Sequence, residues 1–380
     1  MGKMQVVVSK SQSKEPLSAP EVWRDSCLNT ENSMHQLSPY IGKLKSSIAR
    51  DLVVSYSEPG DLIVEPFCGA GTIALEAALL GRRVFASDVS SYSRILSLAK
   101  LRCPETLSDA LKSANALLGE AEAIGPGNTD QVPEWVRVFF HSQTLAEVVT
   151  FAALCREPGR EFFMACLLGI LHHQRPGFLS YPSSHLVPYL RQKKFPPQLY
   201  PEMYAYRELR PRLLAKIERA YKRGAVLPER NLCRFVQSRI EELSFPGDFD
   251  CLITSPPYMN MLDYSRDNRL RLWFIDPKAE IPPEGSASDQ KQNFVSAIST
   301  MFQKVELHLN SKKHCVVIVG ERISRAKSIS LSDYICETAA KDAPSLRLTR
   351  VIKDDIPDVR RARRHYRGTK TEHILVFRKR

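Results

Sequence analysis

The sequence predicts a doubly wound α/β domain with a mostly parallel sheet, an antiparallel closing strand and a helical insert. An apolar strand at 62–64 is followed by a glycine turn, an Ala/Leu-rich helix and a second strand ending at Asp88, the order of a β-turn-α-β unit. A further apolar run at 249–253 stops before two prolines, which cannot continue a sheet strand. Two late apolar runs, 346–352 and 373–378, can pair antiparallel at a sheet edge.

The composition is that of a large globular chain with a basic surface. Of the 380 residues, 43% are hydrophobic and 25% are charged, enough for one large domain or two ordinary ones with an ample core. The net charge of +12 favours a polyanionic partner, and a merely basic protein without such a partner is the plainer alternative.

Cysteine usage and hydropathy restrict the class of protein further. The nine cysteines are scattered and form no C-x-x-C pair, which argues against a disulfide framework or a zinc site. His172 and His173 have no third ligand at a familiar spacing, so a structural role is the simpler interpretation. Residues 1–14 lack an apolar signal-peptide core, and no run is long enough to span a membrane. We therefore expect a cytoplasmic protein with no metal and no membrane partner.

Taken in order, the chain divides into an arm, a split sheet-forming domain and an insert. Residues 1–30 are polar, Ser-rich and punctuated by proline, which predicts a flexible N-terminal arm. Residues 31–94 and 231–380 carry the strand patterns, and residues 95–230 form a mainly helical insert. Helical spacing of apolar residues predicts helices at 46–55, 151–172 (a pair), 203–222, 259–274, 293–309 and 331–340.

Two groups of basic residues are candidates for contact with phosphate. The group in the insert is interleaved with tyrosines, a mixture that suits a phosphate backbone and unstacked bases. The plainer interpretations are a solvated helix face for the first group and a flexible basic loop for the second. The candidates are Lys193, Lys194, Arg207 and Arg210 in the insert, and Arg360, Arg361, Arg363 and Arg364 before the last strand.

The turn at 65–71, Glu-Pro-Phe-Cys-Gly-Ala-Gly, lies where an open α/β sheet binds a nucleotide-type cofactor. Gly69 and Gly71 allow close approach of a ligand to the backbone, and Asp88 at the end of the next strand can bind ribose hydroxyls. The spacing Gly69-x-Gly71-x-x-Ala74 also fits a dinucleotide, and a tight turn without any ligand has the same pattern.

The second marked stretch is Thr-Ser-Pro-Pro-Tyr at 254–258. Two prolines fix the backbone, so the Ser255 hydroxyl and the Pro256 carbonyl form a rigid pair of acceptors beside the ring of Tyr258. This geometry suits a planar molecule with an exocyclic amine, such as a nucleobase. Taken alone, the stretch is more typical of a strand followed by a Pro-Pro turn.

Together, the two stretches resemble the amino-group DNA methyltransferases that use S-adenosylmethionine. The turn resembles their cofactor motif, D-P-F-x-G-x-G-T, with Glu65 in place of Asp, and 254–258 resembles the Ser-Pro-Pro-Tyr form of the cytosine-N4 enzymes. Segments 35–43, 175–180 and 372–379 resemble further elements of these enzymes, so the resemblance runs from residue 34 to the end of the sequence.

The resemblance implies a class I methyltransferase fold with seven strands and S-adenosylmethionine as the cofactor. It assigns to the cofactor Tyr40, Lys43, Glu65, Pro66, Phe67, Gly69, Gly71, Thr72 and Asp88. It assigns to catalysis Ser255, Pro256, Pro257 and Tyr258. One departure is that the family usually has an acid near the cofactor's adenine amine, where residues 237–239 read Gln-Ser-Arg.

The activity that the resemblance implies is site-specific methylation of the exocyclic N4 of a flipped-out cytosine in DNA. Residues 31–94 and 231–380 would be the catalytic domain, and residues 95–230 would recognise the nucleic acid. Restriction or defence components would be associated partners. Adenine-N6 DNA methylation and RNA methylation use the same chemistry and stay open, as does a catalytically silent relative. A nicotinamide-dependent dehydrogenase would explain the glycine turn but leaves the Ser-Pro-Pro-Tyr stretch and the basic insert without a role.

Overall fold

The structure is a computed structural model. It describes residues 16–24, 30–172, 177–180, 196, 198–224, 232–256, 268–279, 287–321, 330–356 and 371–380. None of the described helices is both long and apolar enough to cross a bilayer.

The centre of the molecule is one eight-stranded sheet with the order β1-β7-β8-β6-β5-β2-β3-β4. Its strands are β1 (Leu17–Ser18), β2 (Leu62–Glu65), β3 (Arg83–Asp88), β4 (Cys233–Gln237), β5 (Phe249–Thr254), β6 (Leu309–Glu321), β7 (Leu346–Asp355) and β8 (Thr371–Lys379). Every neighbouring pair is parallel except the two pairs that β8 makes with β6 and β7. This confirms the predicted class I methyltransferase-like α/β fold with an antiparallel closing strand.

Eleven α-helices surround the sheet in the described part of the chain. They are α1 (Ser46–Tyr56), α2 (Thr72–Leu79), α3 (Ser91–Leu101), α4 (Leu107–Ile124), α5 (Glu134–Arg137), α6 (Ser142–Cys155), α7 (Glu161–Ile170), α8 (Leu209–Ala220), α9 (Arg269–Ile275), α10 (Ala287–His308) and α11 (Leu331–Asp342). The helix predicted at 203–222 begins only at Leu209, which places Pro211 in its first turn, where a missing N–H breaks no helical hydrogen bond. Most of the helix predicted at 259–274 lies outside the described residues.

Residues 16–24 of the predicted arm contact the sheet domain. Leu17 and Ser18 pair with Ile352 and Lys353 and add an eighth strand to the sheet. Trp23 is fully buried, and its indole N–H donates to Asp51 on α1 at 2.8 Å. Burial of an indole ring with a satisfied N–H is strongly stabilising, so this segment is anchored.

The predicted insert boundary at residue 95 falls inside α3. This helix packs on strands β3 and β4 with one face and on α7 with another, so it belongs to the sheet domain and carries the insert on its outer side. One continuous hydrophobic cluster contains Ile63 and Val84 of the sheet together with Phe151 and Leu213 of the insert. The insert therefore covers one face of the sheet and shares its core, and the other face has a separate core under α10 and α11.

Candidate active site

The glycine turn connects β2 to α2 at the carboxyl edge of the sheet. Gly69 and Gly71 have φ values of 50° and 66°, in the region that residues with a Cβ rarely adopt. The Cys68 N–H donates to the Ser87 carbonyl at 2.9 Å, and the Gly71 N–H donates to the Cys68 carbonyl at 2.8 Å. These bonds attach the turn to the end of β3 and hold both glycines in place.

A polar stripe on α3 supports the turn from below. Ser93, Ser97 and Lys100 follow one another at helical spacing on the face that meets the turn. A Cβ at Gly71 would lie 2.6 Å from Ser97 Oγ, so only glycine fits this close approach. The buried Lys100 ammonium donates to the Ala70 carbonyl, and burial lowers the pKa of Lys100 to about 7. The sequence prediction missed this stripe, whose signal is polar residues at i, i+4 and i+7 within an apolar helix.

Four of the residues that the resemblance assigned to cofactor contact are buried within the turn or the start of α2. The Glu65 carboxylate accepts the Ala74 N–H at 2.9 Å, which caps α2 where its N-cap residue, Gly71, has no side chain. Burial raises the pKa of Glu65 well above its ordinary value. Glu65, Pro66, Gly71 and Thr72 are buried, and their contact with the cofactor stays a prediction.

Asp88 joins the end of β3 to the turn and remains partly exposed. One of its carboxylate oxygens accepts the Gly69 N–H at 2.8 Å, and the other accepts the Ser90 N–H at 2.9 Å. Burial raises the pKa of Asp88 despite these bonds. The Ser93 side chain and the Val89 N–H also bond to this carboxylate, so a ligand hydroxyl would have to share or replace one of these donors.

The segment before α1 covers the turn from above. The ring of Tyr40 stacks on Tyr92 at 5.8 Å, its hydroxyl lies 3.3 Å from Ser93 Oγ, and a Cβ at Gly69 would lie 3.3 Å from that hydroxyl. Tyr40 therefore borders the predicted cofactor site. Lys43 donates to the His35 carbonyl at 2.7 Å, which holds the segment in shape.

A buried histidine attaches the same segment to α2, and sequence reasoning did not single it out. His35 Nε2 lies 2.7 Å from Glu76 on α2, and Glu76 also faces Arg50 of α1 at 3.4 Å. Burial lowers the pKa of His35. A single His before a Pro-Tyr pair has no distinctive pattern, so only the fold shows that it links the two elements.

The Ser-Pro-Pro-Tyr stretch begins beside the turn. Val64 of β2 pairs with Leu252 of β5, so Ser255 and Phe67, each three residues further on, leave the sheet at the same level. Ser255 and Phe67 are half-buried, like Gly69 and Asp88, whereas Pro256 is buried. The predicted residues Pro257 and Tyr258 lie outside the described residues.

The basic residues predicted in the insert have structural partners. The Arg210 guanidinium makes two bonds to Glu122, at 2.7 and 3.0 Å, and one to Asn115 at 2.8 Å. Arg207 donates to the Phe178 carbonyl at 2.9 Å. Both side chains hold insert elements together, and their contact with phosphate stays a prediction. The other six predicted contacts, Lys193, Lys194, Arg360, Arg361, Arg363 and Arg364, lie outside the described residues.

Comparison with known proteins agrees with the site. Residues 37–122, which include Tyr40, the glycine turn and α3, match the family model described as "UPF0020: RMKL-like, methyltransferase domain". No curated protein matches the chain. Residues 37–122 are therefore similar to a methyltransferase domain. The cofactor that the resemblance implied is thereby confirmed, and specificity for cytosine N4 in DNA is not part of this finding.

Several solved structures are similar to the chain. TrmN from Thermus thermophilus is 13% identical, with 89% of this chain and 50% of that chain covered and a TM-score of 0.36. The rRNA methyltransferase aviRa from Streptomyces viridochromogenes is 12% identical, with 94% and 96% covered and a TM-score of 0.37. A TehB-like S-adenosylmethionine-dependent methyltransferase from Corynebacterium glutamicum is 9% identical, with 89% of each chain covered and a TM-score of 0.33. The chain thus spans half the length of the TrmN chain.

The described residues fit S-adenosylmethionine. Gly69 presents backbone without a side chain, Tyr40 lies over it, and the half-buried Asp88 carboxylate stands at the end of the next strand, where ribose hydroxyls are bound in this type of sheet. Among the described residues there is no group of three His, Cys, Asp or Glu side chains that could hold a metal ion.

Proposed function

We propose that this protein methylates an exocyclic amine of a nucleobase within a polynucleotide. The observation that supports the proposal is the shared level of Ser255 and Phe67 at the carboxyl edge of the sheet, so that the stretch leaves β5 beside the glycine turn. A net charge of +12 supports a polyanionic substrate.

The chain's own groups have a simple task in this reaction. Bound S-adenosylmethionine supplies an electrophilic methyl group on its sulfonium. The Ser255 hydroxyl and the Pro256 carbonyl would accept the two N–H bonds of the target amine, which localises its lone pair on nitrogen. Attack then depends on positioning more than on a strong base. The target base would leave its stack at a cost of a few kcal/mol, partly offset by stacking on Tyr258.

The substrate polymer and the base are part of the proposal. The Ser-Pro-Pro-Tyr form at 254–258 supports cytosine N4 in DNA, the site-specific activity with base flipping that the sequence implied. RNA is the competing substrate, because the same chemistry serves RNA enzymes and the matching family model is described as a methyltransferase domain without reference to DNA. Adenine N6 fits the same pair of acceptors. A restriction partner and a cytoplasmic location remain predictions.

One experiment distinguishes DNA from RNA as the substrate and cytosine N4 from adenine N6 as the methylated atom. The protein is incubated with methyl-labelled S-adenosylmethionine and with matched DNA and RNA pools, the products are digested to nucleosides, and the labelled nucleoside is identified by mass spectrometry. We expect label in N4-methylcytosine or N6-methyladenine from one pool. Ser255→Ala should lower the rate at least tenfold, whereas Ser296→Ala, on the exposed face of α10, should leave it unchanged. Label on a ring carbon, or on protein alone, would refute the proposal.

A further inference from the structure

Three cationic side chains lie side by side at the amino-terminal edge of the sheet, opposite the candidate active site. Arg378 of β8 pairs directly with Arg347 of β7 on one side and with His314 of β6 on the other. Arg350, the next β7 residue on the same face, pairs with Val376. We call Arg347, Arg350 and Arg378 the arginine row; all three are exposed.

The arginine row belongs to the face of the sheet that α1 covers. Val376 and Ile352, which follow the row along β8 and β7, are buried in the core on this face. Tyr56, the last residue of α1, contacts the ring of His314 at 5.4 Å. The row therefore begins where the helix ends and the face of the sheet becomes accessible to solvent.

The positive charge of the row is not neutralised within the described part of the chain. No described carboxylate lies within ion-pair distance of the arginine row. The Arg378 Nε–H donates to the Lys312 carbonyl at 3.0 Å, and the Arg350 side chain makes a hydrogen bond with Tyr56. Like charges directly opposite each other on paired strands are destabilising. A bound anion would remove this repulsion.

The pKa of His314 is affected by the same positive charges. Burial and the nearby Arg378 lower the pKa of His314, with Lys313 and Arg350 acting in the same direction and a bond with Tyr56 opposing them. At neutral pH the imidazole is therefore mostly uncharged. An anion bound on the row would raise this pKa.

We propose that the arginine row is a second contact site for the substrate, at which guanidinium groups bind the phosphate backbone of the polynucleotide away from the target base. The identity of the anion rests on the proposed function. Guanidinium groups suit this role because their planar fork matches phosphate oxygens and their charge is permanent.

The distance between the row and the candidate active site indicates the length of stacked strand that reaches both. Thr254 pairs with Val317, so Ser255 lies about four residues, or ~13 Å, beyond the level of His314 along the strands. Arg347 is three strands away from β5, or ~14 Å across the sheet. The two sites are therefore ~20 Å apart in a straight line, a distance that a stacked strand with one nucleotide per ~3.4 Å spans with about six nucleotides.

The test compares two charge-matched variants by fluorescence anisotropy with labelled single-stranded RNA and DNA of 24 nucleotides. Arg347→Gln/Arg378→Gln removes two cations from the row, and Lys291→Gln/Lys341→Gln removes two exposed cations from α10 and α11 on the other face. For single strands the slope of log K against log salt changes by about 0.7 per phosphate contact, so the row variant should lose about 1.4. If the row variant and the wild type bind equally at 1 M salt, this difference in slope makes the row variant bind ~25-fold more weakly at 0.1 M salt.

The outcomes separate this proposal from the proposed function. Selective weakening of the row variant, together with a rise in the His314 pKa on addition of oligonucleotide measured by NMR, supports the proposal. If the wild type binds the polynucleotide and the two variants bind it with the same affinity and salt dependence, the role of the arginine row is refuted and the proposed function is not. No binding of RNA or DNA by the wild type overturns the proposed function as well. Because the substitutions relieve like-charge repulsion, we expect the row variant to melt no lower than the wild type, and this measurement would exclude misfolding as the cause of weaker binding.

Discussion

Replacing Gly71 by alanine is the sharpest test of how the cofactor turn is built. Two separate penalties apply. A left-handed backbone at φ 66° costs a residue with a Cβ about 1–2 kcal/mol. The new Cβ would also lie 2.6 Å from Ser97 Oγ and 3.1 Å from Ser97 Cα, and such overpacking costs about 1–3 kcal/mol. We therefore expect Gly71→Ala to lower the free energy of unfolding by about 2–5 kcal/mol.

Gly81 provides a matched control within the same β-turn-α-β unit. Its φ is 77°, and a Cβ there would meet nothing within 4 Å. Gly81→Ala should therefore show only the backbone penalty of about 1–2 kcal/mol. The difference between the two variants isolates the contact with α3, which we expect to be worth about 1–3 kcal/mol.

The assay is urea unfolding of each variant followed by circular dichroism, together with calorimetric titration of S-adenosylmethionine. Gly71→Ala should weaken cofactor binding, and Gly81→Ala should not. Adding Ser97→Ala to Gly71→Ala should recover part of the loss, because it removes the closest atom. Equal destabilisation by Gly71→Ala and Gly81→Ala would refute the close approach of the turn to α3.

Three further predictions follow from contacts described above. Burial lowers the pKa of Lys100 to about 7, so between pH 7 and 10 the unfolded chain binds more protons than the folded one. The free energy of unfolding should therefore rise with pH by at most about 1.4 kcal/mol per pH unit. Lys100→Met, tested by urea unfolding at pH 7 and 9, should not show this rise. Trp23→Ala should lower the free energy of unfolding by about 3–5 kcal/mol, because the indole is fully buried. A loss below about 1 kcal/mol would indicate that the N-terminal segment is flexible, as the sequence predicted. Arg210→Ala should change the Kd for a 24-nucleotide strand less than twofold, because Glu122 already binds the guanidinium. A tenfold change would instead indicate that Arg210 contacts the nucleic acid.

The sheet could be predicted from the sequence because its strands are short, apolar and ended by strong signals. The run 249–253 stops before two prolines, and the observed β5 ends at Thr254. Gly69 and Gly71 indicated a tight turn, which their positive φ values confirm. The predicted extent of each element differed from the observed one mostly at its ends, where hydrogen bonding and not periodicity decides the boundary.

What escaped prediction depends on register and on contacts between distant segments. β1 has two exposed residues and no strand pattern of its own, so it exists only because β7 offers an open edge. Ser97 looks like any polar residue of an amphipathic helix until the turn is placed against it. Arg347 and Arg378 are 31 positions apart in sequence, and only the register of β7 and β8 makes them neighbours.

The position of β8 between β6 and β7 has a consequence for the order of assembly during synthesis. β8 follows both of its partners in the chain, so β6 and β7 present unpaired hydrogen-bonding edges while the ribosome is still making the residues between them and β8. Long-range pairing of this kind is slow, and exposed edges of an apolar strand such as 315–319 favour association between nascent chains. A chaperone that shields these two edges until Thr371–Lys379 has emerged would therefore raise the yield of folded protein more than one that acts on the N-terminal half.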